Sequence, residues 1–472
     1  MRKNPYAQLL GNTFIFAVGT FASKVLVFLM MRYYTAVLSA ADFGVSDLIT
    51  QAANVLIPLA TASITAGIIR FGLDQANDKR AVFSIGVATV FCGYLVLLLI
   101  GPLLGRVSVF GEHLPLIYLY VLTASLQQVC HQFVRARGRL KLYALDGIFR
   151  TVCTIGLNVL FLSGLELGVT GYVLSIIVSD ALSVVLLGVC ERLPRFFGLR
   201  FLDPHLARAM LRYSLPLIFA AECNWIISMS DRFFIEALRP ADELGLYAVA
   251  ARIPTMMLLV SSIFIDAWQI STLDGRDKPA LAGFFTTVGN LYQALIAVLV
   301  SGILLCDKLL VYLLADPSYF SAWRFIPFLA VGAGFACLSN FVGSIYTLEK
   351  KSAWSMATIL LGAGLNVALN LLLIPGYGPQ GAAFATAVSY AAMFLLRAVH
   401  SRRYLAIRWQ WGRAVGSLLL LGLQCAVLLR EGALWLPAEI LLFLAVLALN
   451  GADITKALRK TAEQFLPRRD AP

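Results

Sequence analysis

Charge is scarce in this sequence. Of 472 residues only 14% are Asp, Glu, Lys or Arg, while 60% are hydrophobic and the mean hydropathy is +0.81. A soluble domain carries ~25% charged and ~45–50% apolar residues, so a water-exposed globular fold is excluded. Cysteine occurs eight times but never as CxxC or at Cys/His ligand spacing. That excludes a disulfide framework and a cysteine metal site, and the thiols read as small apolar side chains. No G-x-x-x-x-G-K-[ST] loop is present, so no phosphate-cradling loop of that type powers the chain, and no cofactor is expected. The start, MRKNPYAQLLGN, lacks an A-x-A-like cleavage site, and the first apolar run is expected to act as its own insertion signal.

Long apolar runs fill the remainder. Each crossing needs ~20 apolar residues, and fourteen runs qualify. They cover 11–38, 42–71, 81–105, 114–134, 142–163, 168–190, 213–237, 242–272, 280–305, 323–348, 353–374, 381–399, 414–430 and 434–450. Lipid admits only helices and closed barrels, and run length selects helices. The expected fold is an all-α polytopic membrane protein of about fourteen spans.

The cations test that count. With the N-terminus inside, 26 lysines and arginines fall in the cytoplasmic segments and 4 in the opposite loops. This is the positive-inside asymmetry, and it places both termini in the cytoplasm. The formal net charge of +12 therefore serves topology and anionic lipid surfaces rather than nucleic acid.

An internal repeat accompanies the spans. LNV recurs at 157–159 and 365–367; Gly171 opens GYVLSIIVSD and Gly381 opens GAAFATAVSY. AADFGVSDL (40–48) matches ADELGLYAV (241–249) around Gly44 and Gly245. The expected layout is a six-helix lobe over 1–190, a cytoplasmic linker over 191–212 and a second six-helix lobe over 213–399. Two extra helices and a basic tail follow over 400–472. An even number of helices per repeat makes the copies parallel, related by a pseudo-twofold along the membrane normal.

Eight cations remain in or at the edges of spans. Arg70, Arg324 and Arg397 lie at helix ends, where snorkelling is the expectation. Lys24, Arg32, Arg150, Arg232 and Arg252 lie deep, and each costs at least ~2.5–3.5 kcal/mol at the bilayer centre. Arg150 has Asp146 four residues earlier, and Arg232 has Asp231 beside it and Glu236 four residues later. Those spacings allow local ion pairs. Lys24 and Arg252 have no such neighbour. Among the acids, Asp180 and Glu222 are central and lack a base at i±4. They are candidate H⁺ or Na⁺ sites, or partners for a buried arginine, with Asp47 and Asp266 weaker candidates. His131 is expected at the interface.

RYSLPLIFAA (212–221), SMSDRFFIEAL (228–238), LGLYAVAARIP (244–254) and LNVALNLLLIPGYGPQGAAFATAVSY (365–390) carry a resemblance. The chain resembles the multidrug/oligosaccharidyl-lipid/polysaccharide (MOP) exporter superfamily in its polysaccharide, Wzx-type, branch. The resemblance implies a non-enzymatic flippase of a bacterial inner membrane, moving a polyprenyl-diphosphate-linked glycan to the outer leaflet. It implies a two-lobed transporter with a central cavity, membrane lipids around it and polysaccharide polymerase machinery as a partner. The five deep cations would then face the diphosphate as Lys24, Arg32, Arg150, Arg232 and Arg252, with Asp180 and Glu222 coupling the ion. Two rivals share the fold: a multidrug/cation antiporter, which would want acids in its cavity, and a lipid II flippase. A membrane glycosyltransferase, polymerase or ligase would need larger outer loops than SAAD (39–42) or GLELG (164–168).

Overall fold

The computed structural model describes residues 30–74, 76–104, 108–272, 278–349 and 351–465. Among them no strand occurs. In chain order the helices are α1, described over 30–37, α2 (Ala40–Thr61), α3 (Ile64–Leu73), α4 (Lys79–Leu104), α5 (Ser108–Ala136), α6 (Leu140–Asn158) and α7 (Gly168–Cys190). They continue with α8 (Pro204–Leu238), α9 (Ala241–Thr272), α10 (Lys278–Leu314), α11 (Ile326–Leu348), α12 (Ser352–His400), α13 (Trp411–Arg430) and α14 (Trp435–Phe465). Ten helices among the described residues are long and apolar enough to cross a membrane. One of them, Ala353–Arg403, joins two of the expected spans. The expected spans at 114–134 and 213–237 are helical as α5 and α8 but more polar, with Gln127 and His131 in one and Glu222 and Asp231 in the other. Most of the first expected span lies outside the described residues. The protein is an all-helical, multi-pass membrane protein.

The described residues form two compact units. The first runs to Ala248 and includes Leu314–Asp316; the second comprises Val249–Leu313 and the described residues from Pro317 onward.

In the first unit the apolar run at 42–71 is broken. Pro58 lies in the last turn of α2, and Ala62 and Ser63 take left-handed backbone angles (φ 47° and 49°) before α3 resumes. Ala62 N–H donates to the Leu59 carbonyl and Ser63 N–H to the Pro58 carbonyl, closing the helix as a Schellman motif without its usual glycine. The N-terminus of α2 is capped by Ser39, whose hydroxyl accepts from Asp42 N–H. Lipid removes the hydrophobic drive between helices, so small residues that allow close approach matter more. Gly44 and Gly245 illustrate this: a Cβ on Gly44 would lie 2.7 Å from the Gly245 backbone nitrogen, and one on Gly245 would collide with the Ala40 carbonyl. The two positions paired by the repeat thus meet at a crossing of α2 and α9. Ile68, Val82, Phe133, Leu187 and Met210 fill the adjoining core.

The second unit is built around aromatic rings. Trp268 lies 4.8 Å from Phe285 edge-on and 5.1 Å from Phe341, and Phe264 stacks on Tyr292 at 4.7 Å. The Trp268 indole N–H donates to Ser344 Oγ at 3.2 Å. Within α12 the chain turns at Gly378, with φ 57° and ψ −143° between Pro375 and Pro379. That angle pair suits glycine alone, and it separates the two spans that the Gly-rich stretch IPGYGPQG leads one to expect. Gly381 then packs against the Leu373 carbonyl, as Gly171 packs against the Phe161 carbonyl in the first unit.

Candidate functional site

Every fourth residue along one face of α6 is polar: Asp146, Arg150, Thr154 and Asn158. In an otherwise apolar helix this stripe needs partners, and α5, α7 and α1 supply them. Arg150 Nε donates to Asp180 Oδ1 on α7. The Asp180 side chain is fully buried, while that of Arg150 is 37% exposed. A buried carboxylate thus pins a cation whose far side stays accessible. Asp180 Oδ2 has no hydrogen-bond partner among the described residues.

The expected pairing of Arg150 with Asp146 is replaced by this cross-helix pair. Asp146 instead accepts from Ser183 Oγ at 2.7 Å and from Gln127 Nε2 at 3.2 Å, with His131 Nε2 3.6 Å away. His131 stacks on Tyr143 with ring centroids 3.8 Å apart and stays partly exposed. Further along the stripe Thr154 Oγ1 donates to Ser179 Oγ at 2.7 Å and Asn158 Nδ2 to Tyr34 Oη at 3.1 Å. Tyr33 and Ser163 hydroxyls meet at 2.7 Å beyond it. A polar seam therefore runs the length of α6. Its sequence signal was the fourfold spacing.

A second cluster joins α2, α8 and α9. Arg232 Nε donates to Asp47 Oδ2 at 2.6 Å, and its Nη1 lies 3.5 Å from Asp231 Oδ1. Tyr247 Oη donates to Asp231 Oδ2. Arg232 is 4% exposed, held between two carboxylates and 5.8 Å from the Tyr247 ring centroid. This is the geometry of a latch, one turn from the Gly44–Gly245 crossing. Asp47, a weak ion-site candidate in the sequence, is its principal anchor.

The remaining candidates separate. Arg32 is exposed, and its Nη1 donates to the Ala315 carbonyl at 3.3 Å. Arg252 is half-buried in the second unit. Glu222 is half-buried on α8, and its Oε1 has no hydrogen-bond partner among the described residues. Lys24 lies outside the described residues, as does the Asp266 side chain. No group of three or more His, Cys, Asp or Glu side chains suited to a metal occurs among the described residues.

Two features were missed in the sequence. Arg397 does not snorkel. It is 3% exposed and donates to Thr358 Oγ1 at 2.9 Å and to the Ser339 carbonyl at 3.0 Å. Its place near a helix end concealed that α11 and the start of α12 cover it. In the same unit Ser301 Oγ donates to Gln424 Oε1 and Gln424 Nε2 to Glu439 Oε2, at 2.7 and 2.9 Å. This chain ties α13 and α14 to α10.

Residues 9–268 match the family described as "Polysaccharide biosynthesis protein". The chain belongs to that family, more than half of its length being matched. Solved structures share its fold at low identity. The lipid II flippase MurJ in an inward closed conformation is 12% identical, with a TM-score of 0.67 over 94% of this chain and 99% of that one. An inward-facing multidrug resistance MATE family transporter of the MOP superfamily is 15% identical, with a TM-score of 0.68 over 81% of this chain and 95% of that one. A MOP superfamily transporter from Pyrococcus furiosus, whose binding pocket is described as reversed in polarity, is 13% identical with a TM-score of 0.55, over 85% and 97%. A search of curated protein sequences returned no match. The fold is that of MOP superfamily transporters, as expected from the sequence.

Proposed function

We propose that this protein is a flippase that carries a polyprenyl-diphosphate-linked oligosaccharide from the cytoplasmic to the outer leaflet of an inner membrane. Alternating access, driven by an ion gradient, is the proposed mode. Arg150 is the observation that carries this reading. A cation midway along a spanning helix, partly exposed and pinned by a buried acid, belongs beside water and an anionic group rather than beside lipid tails. Its planar fork suits a diphosphate. Lys24, Arg32 and Arg252 are each proposed as contacts for the anionic headgroup, while Arg232 serves the α2–α8–α9 latch. Glu222, with its partnerless buried oxygen, is the proposed coupling carboxylate; Asp180 holds Arg150 and shares the coupling role only when that pair opens. The family, named for polysaccharide biosynthesis, supports a glycan cargo.

Lipid II transport is the second reading, the lipid II flippase structure sharing the fold over 94% of this chain. Mass spectrometry of polyprenyl-diphosphate glycans in cells with and without the gene tests both. Accumulation of one completed repeat unit on deletion, reversed by the intact gene, supports the first reading. Accumulated lipid II supports the second. Unchanged lipid-linked glycans with new sensitivity to cationic drugs would refute glycan transport.

A further inference from the structure

Three arginines and a histidine of the first unit converge on one cleft that the transport residues above do not use. The cleft, of about 430 Å³, is lined by Arg70 and Phe71 at the end of α3 and by His205, Arg208, Arg212 and Tyr213 on α8. The spacing of His205, Arg208 and Arg212 places them on one helix face. Gly67, one turn before Arg70, lets α3 approach that face: a Cβ there would lie 2.8 Å from Ser214 Oγ and 3.6 Å from the Met210 carbonyl. The Arg70 guanidinium then lies 4.6 Å from the Tyr213 ring centroid, and Phe71 meets the same ring edge-on at 6.3 Å. Stacking holds Arg70 in position across the cleft from the other two arginines.

No acidic side chain lines the cleft. Among the described residues none of Arg70, Arg208 or Arg212 is ion-paired to a carboxylate. This contrasts with Arg137, Arg150, Arg232, Arg239 and Arg324, each of which has found an acid. Like charges gathered without a counter-charge repel one another, and a bound multivalent anion relieves that repulsion. Guanidinium forks match phosphate oxygens two at a time.

We propose that this cleft binds a phosphate-bearing anion, either a diphosphate or the phosphate of an anionic phospholipid. Arg208 and Arg212 are its paired donors, Arg70 closes it from the opposite wall, and Tyr213 and Phe71 form the apolar side. The lysine and arginine distribution assigns this end of α3 and α8 to the cytoplasm, where anionic headgroups are concentrated. The site is independent of the flippase reading and stands if that reading fails.

Substituting lysine for arginine separates a built site from diffuse surface attraction, because charge is kept while the fork is lost. Full-length protein in phosphatidylcholine nanodiscs is titrated calorimetrically with inorganic pyrophosphate, with sulfate as a charge control. Saturable pyrophosphate binding, weakened about tenfold or more by Arg208→Lys/Arg212→Lys, is expected from the loss of charge-assisted bidentate bonds. Arg70→Gln should weaken it by a similar factor. Unchanged melting temperatures check that the variants fold. Adding phosphatidylglycerol to the nanodiscs distinguishes the sources. If it competes in the intact protein, the phospholipid phosphate is the ligand; if it does not, the diphosphate is. Equal pyrophosphate binding by intact and lysine-substituted protein would overturn the proposal. So would the absence of both saturable pyrophosphate binding and arginine-dependent phosphatidylglycerol retention.

Discussion

Replacing Arg232 by methionine leaves Asp47 and Asp231 buried without their shared cation. Both carboxylates are 5% exposed or less, and their accepted bonds include the Nε contact at 2.6 Å. Removing one partner of a buried pair costs ~3–5 kcal/mol, because the other charge stays desolvated and unpaired. Asp47→Asn should cost less, since Arg232 keeps Asp231 and the amide oxygen still accepts a bond. The double variant should lose less than the sum of the two, with a coupling of ~1–3 kcal/mol as expected for residues in contact. Equilibrium unfolding of the purified protein in mixed micelles, run as a double-mutant cycle, reads all three values. If Arg232→Met falls within ~0.5 kcal/mol of the intact protein, as an ordinary surface substitution does, the latch is not a latch. Additivity of the two single variants would refute the pairing itself.

Other perturbations have equally definite outcomes. Gly378→Ala forces a side chain into a positive-φ conformation and should destabilise by ~1–3 kcal/mol; a neutral unfolding midpoint would rule out the kink's dependence on glycine. Gly245→Ala drives a Cβ into the Ala40 carbonyl, so the yield of folded, monodisperse protein should collapse, and normal yield would mean that α2 and α9 part without penalty. Ala62→Gly removes the strain of a left-handed alanine and should stabilise by ~0.5–1 kcal/mol, lowered by the extra entropy that glycine loses on folding; a loss of stability would contradict the Schellman closure of α2. Arg150→Gln should reduce glycan export at least tenfold, the equivalent of one charge-assisted hydrogen bond, while membrane insertion is unchanged, and wild-type export would remove Arg150 from the path.

The helices were legible because lipid leaves the backbone few options. Runs of apolar residues therefore translate almost directly into α2, α4, α6, α7 and α9 to α14. The kink at Gly378 was legible for the same reason, since proline and glycine punctuate helices chemically. The break after α2 was not, because Ala62 and Ser63 carry no turn signature and Pro58 is only a partial cause. Partner choice was the least legible level. Spacing along one helix nominates Asp146 for Arg150, but the rotation of α7 against α6 decides for Asp180. Arg397 shows the same limit: proximity to a helix end predicts exposure only where no neighbouring helix covers that end. The three-arginine cleft was visible only as Arg70 at the end of one apolar run and Arg208 and Arg212 just before another, and their convergence depends on Gly67 letting α3 approach α8.

The Arg150–Asp180 pair has a consequence for how the chain enters the membrane. Placed singly at a bilayer centre, each charge opposes insertion by ~2.5–3.5 kcal/mol on translocon scales. The helices that carry them are consecutive, and α6, prolonged by a π-helical turn to Gly164, is separated from α7 by only residues 165–167. So short a connection lets the two spans leave the insertion machinery as one hairpin, in which arginine and aspartate have already neutralised each other. Biogenesis of this half of the protein should therefore proceed in pairs of helices, and the polar seam that serves the folded state doubles as the adhesive of its assembly.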